Sequence, residues 1–198
     1  MYHDRPDLAA LIGSRICHDL ISPLGAIGNG VELLAMAGAG TGAGDSAELR
    51  LIGDSVAAAK ARIRFFRIAY GHAGAQADIG SPEILATLGD YFHGRKIAMT
   101  WQPREQLPRC QARRLFLAIQ CVESALPFGG EIAVRRLPAG WEVAGQSTRL
   151  RADDLPWVLL AGGAVPAGLS PAQVQFALLG QIGGARAEIG ESRVAIAL

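Results

Sequence analysis

The chain has 198 residues, of which 50% are hydrophobic and 19% are charged, and its formal net charge is +1. This length supports one or two small domains with a core, and the near-neutral charge argues against a general nucleic-acid-binding surface, which needs a basic excess. We recognise no secretory leader and no uninterrupted run of about 18 apolar residues, so we expect a cytoplasmic protein without a membrane span. The cysteines are few and scattered, which predicts reduced, buried thiols: Cys17, Cys110 and Cys121.

Apolar residues recur every three or four positions in the first part of the chain, which predicts an amphipathic helix over about Asp7–Ala37. His18 falls on the opposite, polar face of this helix, so we expect its ring to lie in solvent rather than in a core. The apolar face comprises Leu8, Leu11, Ile12, Ile16, Leu20, Leu24, Ile27, Val31 and Leu34, and the polar face also includes Ser22, Gly25 and Asn29.

Helix-breaking residues occur inside this predicted helix. Pro23 has no N–H to donate to the carbonyl of Asp19, which predicts a kink beside His18. Gly25, Gly28 and Gly30 each cost about 0.5–1 kcal/mol relative to alanine. The helix therefore needs tertiary packing, or a partner that comes close to its backbone.

A second helix is predicted after the glycine-rich turn 38–44, with Asp45 or Ser46 as its N-cap and Glu48 in its first turn, ending near Tyr70. Two long helices joined by a short turn form an antiparallel hairpin. One hairpin cannot bury both faces of such helices, whereas two hairpins can, so we predict a homodimeric four-helix bundle. The alternative is that the hairpin packs against the rest of its own chain. The apolar seam that favours the bundle comprises Ile52, Val56, Ala59, Ile63, Phe66 and Tyr70.

The segment Gly71–Gly80 has the composition of a linker, so we predict a helical-hairpin domain over residues 1–74 and a second domain over residues 75–198. Helices and strands are mixed in the second domain, which predicts an α/β sandwich and an α+β chain overall. Its predicted helices are Ser81–Phe92, with Ser81 as a cap, Leu107–Leu126, Leu155–Leu160 and a helix from Ser170 to Ile182; its predicted strands are Lys96–Trp101, Glu131–Leu137, Trp141–Ala144, Ala185–Ile189 and Arg193–Leu198.

The string HDLISPL, His18–Leu24, resembles the phosphoacceptor box of bacterial sensor histidine kinases. The wider string SRICHDLISPLGAIGNGVELL, taken with IRFFRIAYG (Ile63–Gly71), more closely resembles the ChpT-type histidine phosphotransferases of alphaproteobacterial phosphorelays. These motifs cover about the first seventy residues. Beyond them the resemblance is one of layout.

The layout of the second domain resembles the ATP-binding domain of histidine kinases, but the nucleotide motifs are missing. Such kinases need an Asn in the helix before the SALPFGGEI-like turn, where this chain has Gln120, Cys121, Glu123 and Ser124. They also need an Asp-x-Gly-x-Gly loop, and the glycine-rich strings LAGG and GQIGG contain no Asp. We therefore expect a degenerate domain that kept the fold and lost the nucleotide.

The resemblance implies that His18 is the phosphoacceptor and that Asp19 orients it. A neutral imidazole has one ring nitrogen free to attack phosphorus, and a carboxylate on the other nitrogen fixes the tautomer. The implied partners are response-regulator receiver domains and a hybrid-kinase receiver, whose aspartates donate and accept the phosphoryl group. We expect no cofactor in this chain, because the receivers supply their own Mg²⁺. The remaining histidines have no spacing suited to metal binding: His3, His72 and His93.

Hairpin geometry predicts where a receiver docks. If the turn is centred near residue 41, then Arg64 and its neighbours Arg62 and Arg67 lie roughly beside His18, and Lys60 lies beside Ser22. These cations either face an acidic receiver or form an ordinary solvated surface, two readings that the pattern leaves open. Small and polar residues would let a receiver helix approach closely. The predicted partner-binding residues are Arg15, Ser22, Gly25, Ala26, Asn29, Lys60, Arg64 and Arg67.

Three functions are compatible with these features. The first is a dimeric phosphotransferase acting through phospho-His18, without ATP hydrolysis. The second is an ATP-dependent sensor histidine kinase core with an unusual nucleotide site. The third is a non-catalytic dimeric scaffold that binds receivers.

Overall fold

The computed structural model describes residues 6–37, 47–71 and 78–198. The predicted turn over 38–44 and the caps at Asp45 and Ser46 lie outside these residues. In the part of the chain that is described, no helix has both the length and the apolar character needed to cross a membrane.

The N-terminal part is an antiparallel hairpin of α1 (Leu8–Ala37) and α2 (Ala47–Ala69). Asp7 begins α1, because its Oδ1 accepts from the N–H groups of Ala9 (2.9 Å) and Ala10 (3.2 Å). The two helices approach closely at Gly30, where a Cβ atom would lie 2.6 Å from Cγ1 of Ile52. A Cβ atom at this position would force the Ile52 side chain or the two helices to shift.

The C-terminal unit, residues 78–198, contains a mixed five-stranded sheet in the order β2-β4-β5-β7-β6. Strands β2 and β4 are parallel, and the other neighbours are antiparallel. A two-stranded ribbon pairs β1 with β3. The elements are β1 (Asp78–Ile79), α3 (Ser81–Phe92), β2 (Ile97–Trp101), β3 (Leu107–Pro108), α4 (Arg109–Ser124), β4 (Gly130–Leu137), β5 (Gly140–Gln146), 3₁₀ helices at Trp157–Ala161 and Pro171–Gln173, α5 (Val174–Ile182), β6 (Arg186–Ile189) and β7 (Arg193–Ala197). The predicted α+β class, with its helical hairpin and sandwich, is confirmed.

Helices α3 and α4 each contact both α2 and the sheet, and α5 packs against α1 and α4. Phe65 of α2 is fully buried, with its ring centroid 4.0 Å from that of Tyr91 in α3 and 4.8 Å from that of Phe116 in α4. One continuous core therefore joins the hairpin to the C-terminal unit. This part of the hairpin therefore packs against the rest of its own chain, as in the alternative to the dimeric bundle.

The apolar face of α1 is partly buried, and it packs against the main core over its first half. Leu8, Leu11, Ile12 and Ile16 pack against the core, because α5 and the preceding 3₁₀ helix contact this half. Further along, the apolar residues Leu24 and Val31 are 57% and 54% exposed, and Ile63 in the predicted seam of α2 is 52% exposed. Among residues 6–37, 47–71 and 78–198, no surface covers these three side chains fully.

Several predicted details are wrong. Ser81 does not cap α3; it is the first helical residue, and its hydroxyl donates to the Pro103 carbonyl (3.4 Å). Leu107 pairs with Ile79 in β3, so α4 begins only at Arg109. Of the thiols, Cys121 is buried as expected, but Cys17 and Cys110 are exposed. The predicted short helix at Leu155–Leu160 is the 3₁₀ turn Trp157–Ala161.

Candidate functional site

The His18 side chain lies in solvent, 83% exposed, as the polar face of α1 predicts. Its Nδ1 lies 3.1 Å from Oδ1 of Asp19, a distance at which Nδ1–H donates to the carboxylate. Within the described residues, Nε2 has no hydrogen-bond partner. This arrangement favours the tautomer with the proton on Nδ1, and it leaves the Nε2 lone pair free.

Asp19 is held from its other side. Its Oδ2 accepts from Nε of Arg15 at 2.8 Å, one helical turn earlier in α1. Arg15 in turn donates from its terminal nitrogen to the carbonyl of Ala172 (2.8 Å), which precedes α5. The carboxylate that orients His18 is therefore fixed through Arg15 to the C-terminal unit.

A pocket of about 290 Å³ opens beside His18. Both parts of the molecule contribute to its walls. The hairpin supplies Arg15, His18, Asp19, Ser22 and Arg62, and the C-terminal unit supplies Tyr91, Arg95 and Glu123.

Arg95 is held rigidly in the turn between α3 and β2. One of its terminal nitrogens lies 2.5 Å from a Glu123 oxygen, and its guanidinium carbon lies 3.9 Å from the centroid of the Tyr91 ring. The Tyr91 hydroxyl donates to the other Glu123 oxygen at 3.1 Å. Gly94, with φ +69°, provides the left-handed turn that brings Arg95 to this position.

Burial raises the pKa of the Glu123 carboxyl above its ordinary value, although Arg95, the Tyr91 hydroxyl and Arg15 act in the opposite direction. Burial also raises the pKa of the Tyr91 hydroxyl, so this group stays protonated and donates a hydrogen bond to Glu123. The pocket thus combines a permanent cation with a carboxylate whose charge is costly to bury.

The other predicted site residues are placed as follows. Ser22, Gly25 and Asn29 are exposed on the face of α1 that presents His18, with Ala26 half-buried beside them. Lys60 is also exposed. Arg15, in contrast, is only 15% exposed and is committed to Asp19 and Ala172, so it belongs to the inner wall of the site rather than to a docking face.

Two of the predicted docking arginines face α3 rather than His18. Arg64 pairs with Asp90 at 2.7 Å, and Arg67 pairs with Glu83 at 3.2 Å. The arginine of α2 in the His18 pocket is Arg62. The predicted level along the hairpin agrees with the close approach of Gly30 and Ile52. Two residues rotate a helix by about 200°, and of the two arginines only Arg62 lines the His18 pocket, whereas Arg64 pairs with Asp90.

Sequence reasoning missed Tyr91, Arg95 and Glu123 as members of the site. Glu123 was noted only as one of the residues that stand where a kinase has Asn. An acidic residue on the otherwise buried face of α4 was the one available signal, because a buried carboxylate needs a partner.

The family described as Histidine phosphotransferase C-terminal domain matches residues 81–187. This chain belongs to the histidine phosphotransferase family. The match covers the C-terminal unit, whereas the resemblance inferred from the sequence began at the His18 box.

Two relatives agree with this family assignment. The Protein phosphotransferase ChpT of Brucella abortus (strain 2308) is 44% identical over 133 residues, which are 65% of this chain and 60% of that protein. The chain thus spans about three fifths of the length of this curated relative. A solved bacterial phosphotransferase superposes with a TM-score of 0.75 at 31% identity, over 96% of this chain and 94% of that one. The recognition of a ChpT-type histidine phosphotransferase is therefore confirmed.

Proposed function

We propose that this chain is a histidine phosphotransferase of a multistep phosphorelay, and that His18 carries the phosphoryl group between the aspartates of receiver domains. The observation that carries this proposal is the His18 ring itself: it is exposed, Asp19 holds its Nδ1, and its Nε2 is free at the mouth of a pocket that contains arginines. Membership of the histidine phosphotransferase family supports the same function.

The transfer needs little covalent chemistry from the protein. The Nε2 lone pair attacks the phosphorus of an aspartyl phosphate, the bond from phosphorus to the aspartyl oxygen breaks, and the electron pair leaves with the receiver carboxylate. The proton stays on Nδ1, where Asp19 stabilises the positive charge that develops on the ring. The reverse reaction passes the group to a second receiver. We propose that the receiver supplies the Mg²⁺ that this chemistry requires.

We also propose that the chain acts as a homodimer. Leu24 and Val31 of α1 and Ile63 of α2 are more than half exposed on the hairpin, and burying large apolar side chains of this kind stabilises by about 1.5–3 kcal/mol each. Pairing two hairpins would cover such residues and leave the polar face of α1 open to a receiver.

Labelling experiments separate this function from the two alternatives. Incubation with a phosphorylated receiver should give the wild-type protein an acid-labile, base-stable phosphate, and His18→Ala should remain unlabelled. Labelling by ATP alone would indicate a kinase instead. Receiver binding without any phosphate on His18 would indicate a scaffold.

A further inference from the structure

In the described part of the chain, Arg62 differs from the other arginines near His18, because each of those pairs with a carboxylate. Arg64 and Arg67 are paired with carboxylates of α3 outside this pocket. Arg62 lines the pocket, and within the described residues it has neither an ion pair nor a side-chain hydrogen bond. Arg95, which belongs to the C-terminal unit, lines the same pocket.

The charges of the pocket do not cancel. Its lining has three arginines against two carboxylates, Asp19 and Glu123, which leaves one positive charge when His18 is neutral. Asp19 and Glu123 bind Arg15 and Arg95 respectively, and neither pairs with Arg62. The pocket therefore has the charge and the spare N–H donors to receive an anion.

The pocket is also large enough for an anion, and one of its arginines is already held in place. Its volume of about 290 Å³ exceeds by several-fold the roughly 30 Å³ that one water molecule occupies in the liquid, so it has room for a tetrahedral anion. Arg95 is fixed by Glu123 and by the Tyr91 ring before any ligand arrives. A guanidinium that is already in position loses little freedom when it binds an anion.

We propose that Arg62 and Arg95 bind the oxygens of the phosphoryl group that His18 receives, and that Glu123 positions Arg95 for this role. This inference rests on the proposed function. It makes the C-terminal unit part of the phosphotransfer site, because Arg95 comes from that unit. The arginines add no bond and remove no proton; they neutralise charge on the phosphoryl oxygens while the bond to Nε2 forms and the bond to the receiver carboxylate breaks.

Single-turnover transfer from a phosphorylated receiver tests the proposal, with the rate measured as a function of receiver concentration. Removing one preorganised donor in a closed site costs about 10²–10³ in rate. Because this pocket is open to solvent, we expect Arg95→Ala to lower the saturating rate by about 10–100-fold and to leave the half-saturating receiver concentration unchanged. Arg62→Ala should also lower the saturating rate. Arg95→Lys should recover part of it, because the charge remains without the planar fork.

The matched control is Arg193→Ala, which removes an arginine from an exposed Arg–Glu pair on β7 (2.8 Å to Glu142) outside the pocket. Its transfer rate should stay within about twofold of the wild type, because the pair lies outside the pocket and an exposed ion pair contributes little to stability. Glu123→Gln keeps the cation but loosens it, and its saturating rate should fall less than that of Arg95→Ala, again without a change in the half-saturating concentration. Circular dichroism establishes that each variant is folded, and Arg95→Lys and Glu123→Gln decide the question if Arg95→Ala does not fold.

Wild-type saturating rates in Arg95→Ala and Arg62→Ala would overturn the inference, and so would an effect confined to the half-saturating concentration, which would make these arginines docking residues. Neither result affects the proposed function, since His18 would still be labelled. If the wild-type protein takes no phosphate on His18, the proposed function fails and this inference fails with it.

Discussion

At the scale of single residues, Asp19 serves two neighbours at once. One of its oxygens faces Nδ1 of His18, and the other accepts from Arg15. The orientation of the imidazole therefore depends on a carboxylate that is itself anchored. A change at Asp19 should affect the reactivity of His18 more than its accessibility.

We expect Asp19→Asn to slow phosphorylation of His18 by about 10–100-fold, because an amide stabilises the charged ring less well than a carboxylate and presents an N–H group as well as an oxygen. The transfer rate from a phosphorylated receiver measures this. Asp153→Asn is the control, since Asp153 is exposed in the C-terminal unit outside the pocket. Equal rates for Asp19→Asn and the wild type would contradict the orienting role.

Glu123 makes stability depend on pH in an unusual direction for an acid. Its pKa in the folded protein is raised from an ordinary 4.5, chiefly by burial, so above pH 4.5 the folded state retains a proton that the unfolded state has lost. The stability that this adds is present below about pH 4.5 and is lost as the pH rises through the folded-state pKa.

The wild type should therefore lose stability relative to Glu123→Gln as the pH rises from about 4.5. Denaturant unfolding at several pH values measures the difference. The control is Glu105→Gln, at an exposed carboxylate that pairs with Arg136 (3.5 Å); it should change the free energy of unfolding by no more than about 1 kcal/mol. A difference between the wild type and Glu123→Gln that is constant, or that grows in favour of the wild type, would show that the ionised pair with Arg95 outweighs burial.

The exposure of His18 and its contact with Asp19 could be predicted from the sequence, because the two residues are adjacent and helical periodicity places His18 on the polar face. Arg95 and Glu123 could not, since they lie far along the chain and reach His18 only through the packing of α3 and α4 on α2. Residue counting places Arg62, Arg64 and Arg67 beside His18 because it gives only the height along a hairpin. Of these three arginines, Arg62 lines the His18 pocket, whereas Arg64 and Arg67 pair with carboxylates of α3.

At the scale of secondary structure, the glycines of α1 differ from one another. A Cβ atom at Gly30 would clash with the Ile52 side chain of α2, but a Cβ atom at Gly25 would meet nothing within 4 Å. In the part of the chain that the structure describes, no close packing therefore explains Gly25, which weakens the helix. This agrees with the prediction that a partner comes close to the backbone beside His18.

Gly25→Ala should raise the free energy of unfolding by about 0.5–1 kcal/mol through helix propensity, and it should weaken receiver docking. Denaturant unfolding measures the first effect, and the half-saturating receiver concentration measures the second. Gly13→Ala is the matched control on the same helix, where a Cβ atom also meets nothing; it should give the gain in stability alone. Unchanged docking in Gly25→Ala would argue that this face is not approached.

The junction between α2 and the C-terminal unit depends on aromatic packing more than on its ion pairs. Phe65 is fully buried against Tyr91 and Phe116, whereas the pair formed by Arg64 and Asp90 is about half exposed. Phe65→Ala should therefore lower the free energy of unfolding by about 3–5 kcal/mol, and Arg64→Ala by no more than about 1 kcal/mol. Denaturant unfolding of both variants checks this, and similar losses would refute the ranking.

At the scale of the whole molecule, the exposed apolar side chains of the hairpin are the basis for expecting a dimer. A charge placed among them should prevent two hairpins from pairing, because a buried unpaired charge is costly. Val31→Glu should reduce the mass in solution from that of two chains to that of one, as measured by light scattering. Val158→Glu, at a 70% exposed position in the C-terminal unit, should leave the mass unchanged. A wild-type mass in solution equal to that of one chain would contradict this prediction.

The overall architecture followed from the sequence because α1, α2, α3 and the hairpins of the sheet have clear periodicity and turns. The strand order β2-β4-β5-β7-β6 could not be predicted from the sequence, because pairing partners in a sheet depend on contacts between residues distant in the chain. The domain boundary at 74/75 stays a prediction. The shared core of Phe65, Tyr91 and Phe116 shows that the hairpin and the C-terminal unit are packed together in any case.

The Tyr91 ring contacts Phe65 from the hairpin as well as the guanidinium of Arg95. A chimera that joins this C-terminal unit to the hairpin of a relative would therefore keep the packing beneath Arg95 only if the relative also has Phe at the position of Phe65. Anyone who recombines such proteins to rewire a signalling circuit should place the crossover before α2, so that the stacked rings travel together.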